Sequence, residues 1–288
     1  MLQVKWLIQD VGMKVSQIYL KYDALQFLGE EVANIGVIAN YEYISGLSEA
    51  INEDINTKYV FLAGVKALNL LRKANHISDV IEFPTEFQIN NSDQLLSNLI
   101  SGFFYDFQNF DQQYYGKLDL PLINHEAEYI PLKECLQTTF NVDKFIKPST
   151  DLKAFDAGIL PFGNTIESFV LSKPRQRFFM EETLVISNVI KIKEEYRFFV
   201  VNGKVISGSA YRLNYIVEIN SVVPENIVNI AQEFADLYHP SDIFTLDLAV
   251  TEDDQIRIVE YNCFNCSGVY LCDMTKVFKA IKEYILNK

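Results

Sequence analysis

The sequence predicts a mixed α/β (α+β) fold in two parts, and three observations predict it. Residues 1 to about 120 alternate apolar, strand-like runs with helix-spaced segments, the pattern of a parallel sheet covered by helices. Asn202-Gly203 lies between two apolar runs, the strongest short signal for a two-residue hairpin. Residues 244–270 read as two more strands joined by the acidic turn Thr251-Glu252-Asp253-Asp254. The boundary is placed near residue 124, giving an N-terminal α/β domain over 1–124 and a second domain over 125–288.

In chain order, residues 4–8 form the first expected strand. Ile18, Leu25, Leu28 and Val32 fall at helical spacing and predict a helix over 18–32. Residues 36–39 and 58–64 read as strands, the second ending at Gly64, and 65–74 as a helix. The aromatic stretch 101–124 suits packing in a core or between domains. Pro131 fits the first turn of a short helix running to Phe140. Residues 142–148 read as a strand ending in Lys147-Pro148, followed by a polar stretch that closes at Gly158. Ile227, Val228, Ala231, Phe234 and Ala235 mark a helix ended by His239-Pro240. Asp273 suits the N-cap of a last helix carrying Val277, Phe278, Ile281, Tyr284 and Ile285.

Bulk properties narrow the function. The 288 residues are 49% hydrophobic, which supports a sizeable core and argues against disorder. A net charge of −13 repels a phosphate backbone, so nucleic acid is a poor partner. No signal peptide pattern or long apolar run is present, so a cytoplasmic protein off the membrane is expected. Cys263-x-x-Cys266, with Cys272 beyond, offers too few ligands for structural zinc, and the thiols are expected to be reduced.

Side chains alternate along a strand. Asp247 is then a lone carboxylate in an apolar strand, while Ile256, Ile258, Glu260 and Asn262 share one face of the next. Apolar strands rarely carry unpaired carboxylates. Magnesium, which takes hard oxygen ligands, would account for them; so would a salt-bridged hairpin with one edge in water. If they share an ion, the two carboxylates would crowd one another without it. In the hairpin, a regular register sets Phe199 opposite Ile206, Arg197 opposite Gly208 and Glu195 opposite Ala210, with Arg212 on the same face. Small partners would leave room for a ligand, and two arginines suit phosphate oxygens. A solvated Glu–Arg ladder has the same pattern. Lys147 is either a phosphate contact beside a flexible loop or a lysine at a sheet edge.

Three segments in order resemble the ATP-grasp superfamily: FIKPSTDLKAF, EEYRFFVVNGKVISGSAYR and LDLAV…IVEYNCFNCSGVY. The resemblance covers roughly residues 125–288 and is closest to a small phage and bacterial clade with two arginines and one lysine. It implies an ATP-grasp fold preceded by an N-terminal α/β domain. It implies that Lys147 contacts phosphate, with help from Lys153. Ser187, Asn188, Val189, Ile190, Lys191 and Ile192 would line the adenine pocket, next to Glu195. Arg197 and Arg212 would hold the γ-phosphate or an acyl phosphate. Asp247, Glu260 and Asn262 would bind magnesium, with Glu260 bridging two ions. The loop after Lys147 departs from the usual pattern in lacking glycines, and the first ATP-binding lysine of many members has no clear counterpart. The implied activity is an ATP-dependent carboxylate–amine ligase acting on a small-molecule or peptide carboxylate. A small-molecule kinase or a non-catalytic nucleotide- or partner-binding protein would share the fold.

Overall fold

The computed structural model describes residues 3–9, 17–38, 43–45, 57–62, 108–150, 154–173, 182–265 and 267–287. Their strands form three four-stranded sheets. The expected helix over 65–74, Gly64 and the aromatics before 108 lie outside the described residues, as do Lys153 and Cys266.

The first sheet runs β3(Tyr43–Ser45), β2(Glu31–Ile38), β1(Gln3–Gln9), β4(Thr57–Leu62). β1 is parallel to both β2 and β4, as strand–helix alternation requires. α1(Gln17–Phe27) is shorter than its apolar spacing suggests. Gly29, at φ +67°, ends it: the Gly29 amide donates to the Gln26 carbonyl and the Glu30 amide to the Leu25 carbonyl. β2 therefore starts at Glu31, and Val32 belongs to the strand.

The second sheet runs β5(Glu128–Pro131), β8(Thr183–Asn188), β6(Lys144–Pro148), β7(Gly158–Leu160), all antiparallel. A single turn, α2(Gln112–Tyr115), precedes β5; Pro131 ends β5 and caps another, α3(Leu132–Cys135), so the helix expected to Phe140 stops early. α4(Ile166–Leu171) starts at Thr165, whose side chain accepts from the Ser168 amide. Ile146, Phe155, Ile166, Phe169, Leu184 and Ile186 make this unit's core.

The third sheet runs β10(Lys204–Arg212), β9(Ile192–Val201), β11(Ile243–Thr251), β12(Ile256–Cys263). Asn202 and Gly203, at φ +48° and +74°, form the two-residue turn that the sequence signals. Tyr196, Phe198, Val200, Leu246 and Leu248 face α5(Glu225–Leu237) through Ile227, Ala231 and Ala235. Phe199, Val201 and Ile243 pack with Val277, Phe278 and Ile281 of α6(Met274–Asn287), which Asp273 caps through the Lys276 amide. Trp6, Leu25, Val60 and Leu62 join that second layer, and the Trp6 and Phe278 rings meet edge to face at 5.1 Å.

Two registers near the polar residues of this sheet differ from the regular ones. β10 slips between Val205 and Ser207 and again between Ala210 and Arg212, so Phe199 faces Ser207, Arg197 faces Ser209 and Glu195 faces Arg212. Gln232 of α5 accepts from the Val205 amide at the first slip. Gly208 then lies opposite Phe198, whose ring fills the space; an added Cβ would sit 2.5 Å from it. That room belongs to the core, not to a ligand. β12 slips too: Leu248 faces Ile258 but Asp247 faces Glu260. Ile256 and Ile258 therefore pack with Tyr261 and Cys263 on the α5 side, and Glu260 and Asn262 turn to the face of Asp247. Residues 121–123 pair with β12 through Pro121, Leu122 and Ile123, just before the expected boundary at 124.

Candidate functional site

β6 and β12 bring their polar residues together between the second and third sheets. A pocket of about 210 Å³ is walled by Lys147, Ser149, Thr150 and Phe155 on one side and Glu260, Tyr261 and Asn262 on the other. Phe110 and Tyr115, buried in the core, also line it. Lys147, 8% exposed, donates to Glu260 Oε2 at 2.8 Å across it. The lysine is thus neither solvated nor at an open edge.

Behind Glu260, Asp247 is buried and not alone. β11 pairs with β9 as well as β12, and Arg197 is its direct neighbour there. Arg197 Nε and Nη2 donate to the two Asp247 oxygens at 2.8 and 2.6 Å, a bidentate fork. Burial works to lower the Arg197 pKa, but the carboxylate outweighs it and holds the guanidinium firmly charged. Asn262 Nδ2 lies 3.4 Å from Asp247 Oδ2. The expected crowding of two bare carboxylates is therefore relieved by two cations, one for each. A third ion pair joins Arg212 to Glu195.

The sequence holds half of a signal for the Arg197–Asp247 pair: Asp247 is the single charge of apolar β11, but β9 carries Lys193, Glu194 and Glu195 besides Arg197. It does not show that β9 and β11 adjoin, because β10 and α5 separate them along the chain. Three further features carry no local signal. Tyr211 and Tyr270 stack at 4.8 Å, and the Arg197 guanidinium lies 5.1 Å from the Tyr270 ring. Burial, then Asp247, pushes the Tyr211 hydroxyl well above its ordinary value. Glu182, buried, accepts from the Thr150 hydroxyl at 2.9 Å, and burial raises its pKa. The Ser149 hydroxyl on the pocket wall is buried with no hydrogen-bond partner among the described residues.

The other expected residues stand apart from this pocket's wall. Ser187 is buried at the end of β8, and Asn188 accepts from Lys144. Val189 and Ile190 are each 39% exposed in the β8–β9 connection, Lys191 pairs with Glu252, and Ile192 opens β9. Among the described residues no three Asp, Glu, His or Cys side chains group together. The candidate metal set is instead two carboxylates and an amide on neighbouring strands, all hard oxygen donors, which suits magnesium. Cys263 and Cys272 are buried, and burial pushes the Cys272 thiol up to about 12.

Comparison with known proteins agrees with this architecture. No curated protein sequence matches the chain. The fold is similar to that of D-alanine–D-alanine ligase from Bacillus anthracis complexed with ATP, at 12% identity and TM-score 0.58, covering 100% of this chain and 98% of that one. It is similar to D-cycloserine synthetase DcsG at 10% identity and TM-score 0.57, covering 98% and 100%. It is also similar to a RimK domain ATP-grasp protein from Sphaerobacter thermophilus DSM 20745, at 11% identity and TM-score 0.54, covering 99% and 98%. The model of an ATP-grasp domain family, the second family of the clade named for two arginines and one lysine, matches residues 130–280, more than half of the chain. By that match and that shared fold, this chain belongs to the ATP-grasp superfamily, in the clade of two arginines and one lysine.

Proposed function

We propose that the chain is an ATP-dependent carboxylate–amine ligase working through an acyl phosphate. The observation that carries this reading is the Lys147–Glu260 contact across the pocket, with Arg197–Asp247 directly behind it. Two cations and two carboxylates are stored there as neutral pairs. Magnesium-ATP brings the same two kinds of charge, so partners can be exchanged while every buried charge stays compensated. Asp247, Glu260 and the Asn262 amide oxygen would hold magnesium. Bound magnesium supplies charge neutralisation at the phosphate oxygens.

Lys147, released from Glu260, would meet phosphate as a point charge, helped by Lys153. Arg197 would turn its fork from Asp247 to the terminal phosphoryl group, and Arg212 would stabilise the acyl phosphate. Ser187, Asn188, Lys191 and Ile192, with the exposed Val189 and Ile190, would seat the adenine beside Glu195. The substrate carboxylate oxygen attacks the terminal phosphorus and ADP leaves. The amine nitrogen then attacks the acyl carbon, a C–N bond forms, the C–O bond to phosphate breaks, and phosphate leaves carrying the proton that the amine loses. No side-chain nucleophile is required; the chain positions the reactants and neutralises charge. The ATP-complexed ligase that shares the fold supports this reading. The net charge of −13 supports a small-molecule or peptide substrate over a polyanion.

The test is incubation with magnesium-ATP and a panel of carboxylates, with and without amines. Phosphate release that requires both, with an amide product by mass spectrometry, is the expected result. A stable phosphorylated alcohol, or no turnover with any pair despite nucleotide binding, would count against it.

A further inference from the structure

Lys21 has a role that none of the site residues explains. It lies on α1, far from the site in sequence, and its side chain is fully buried. Its ammonium donates to three backbone carbonyls, those of Phe264 at 2.6 Å, Asn265 at 2.9 Å and Ser267 at 3.0 Å. Three donors meet three acceptors on one turn, the turn that follows Glu260 and Asn262 directly. The ammonium also lies 4.8 Å from the Phe264 ring.

The turn is held from its other side as well. The Ser267 hydroxyl donates to the Cys263 carbonyl at 2.7 Å and shares a 2.8 Å hydrogen bond with Thr245. The next residue, Gly268, offers its carbonyl to Arg197 Nη1 at 3.3 Å. Arg197 is thus fixed by Asp247 on the sheet and by Gly268 on the turn. The turn does not satisfy its own polar groups: the Asn265 amide is 1% exposed, and neither of its polar atoms has a partner among the described residues. Holding such a turn in place needs a strong external anchor, and Lys21 supplies one.

We propose that Lys21 is a positioning residue for Arg197, acting through Phe264, Asn265, Ser267 and Gly268, and so sets how the arginine meets the terminal phosphate of ATP. This rests on the ligase reading of the site. It makes the N-terminal helix part of the machinery that orients the arginine. Positioning and mere stabilisation by Lys21 differ in one measurable ratio. Arg197 would contact only the terminal phosphate, so losing its placement weakens a triphosphate analogue and spares the diphosphate.

Magnesium-AMPPNP and magnesium-ADP are titrated calorimetrically into the full chain as wild type, Lys21→Met and Arg197→Lys. Lys21→Met is expected to weaken AMPPNP about tenfold, as loss of one charge-assisted contact does, while ADP changes less than about twofold. Arg197→Lys should show the same split. If Lys21→Met melts lower but keeps the wild-type ratio of the two affinities, Lys21 is only a core anchor and the proposal falls, with the ligase reading untouched. If Arg197→Lys also keeps the ratio, the arginine's assignment fails and takes the proposal with it. Should Lys21→Met not fold, Ser267→Ala loosens the same turn from the opposite side, and its ratio decides by the same criterion.

Discussion

At Glu260 two roles compete for one carboxylate. In the structure it accepts from Lys147 across the pocket, and by our reading it also holds magnesium. The roles make separable predictions. Glu260→Gln keeps a carbonyl that can accept from Lys147 but removes the charge. Lys147 is 10% exposed at its side chain and Glu260 28%, so the pair is only partly shielded from water. The variant should lose about 1–3 kcal/mol of stability in urea without ligand, less than breaking a fully buried pair. It should also lose most of the thermal shift that magnesium-ATP gives the wild type, because that shift follows affinity for the folded state. A destabilised variant whose shift survives would leave Glu260 as a structural partner alone. The sequence alone points the other way on stability, since two bare carboxylates would crowd each other. The cations that reverse the sign come from β6 and β9, which only the tertiary arrangement brings near.

Hairpin β9–β10 shows what was legible at the scale of an element. Asn202-Gly203 defines its turn because the conformation depends on those two residues themselves. The register beyond it was not legible. It depends on the Gln232 side chain reaching the Val205 amide from α5, and on Phe198 needing the space beside Gly208. Both are contacts with residues distant in sequence or across the strand pair. Gly208→Ala is therefore predicted to overpack the core by about 1–3 kcal/mol, read as a lower midpoint in urea at unchanged slope. An alanine tolerated without loss would mean that Phe198 can yield and that the regular register is within reach. The same reasoning applies to β12, where one slip turns Glu260 and Asn262 to the side of Asp247. A regular strand would have set Glu260 with Ile256 and Ile258, on the side that packs on α5.

For the whole molecule, the alternation of strands and helices made the parallel strands β2, β1 and β4 of the first sheet legible, whereas antiparallel β3 and the sheet's packing partner were not. Trp6, Leu25, Val60 and Leu62 share a core with Phe199, Phe264 and Phe278, and residues 121–123 complete the edge of β12. Chain 125–288 expressed alone would expose this apolar layer and leave that edge unpaired. It should fail to unfold cooperatively and should self-associate, as seen by calorimetry and light scattering; a monomer with a sharp transition would contradict the shared core. In the function proposed above, Lys147 and Arg197 are stored on Glu260 and Asp247 until nucleotide arrives. A crystal structure with magnesium and AMPPNP tests that claim most directly. The account predicts Lys147 Nζ and the Arg197 fork on phosphate oxygens, with magnesium on Asp247, Glu260 and Asn262. Nucleotide bound with both ion pairs intact, at 2.8 Å for Lys147–Glu260 and 2.6 Å for Arg197–Asp247, would contradict it.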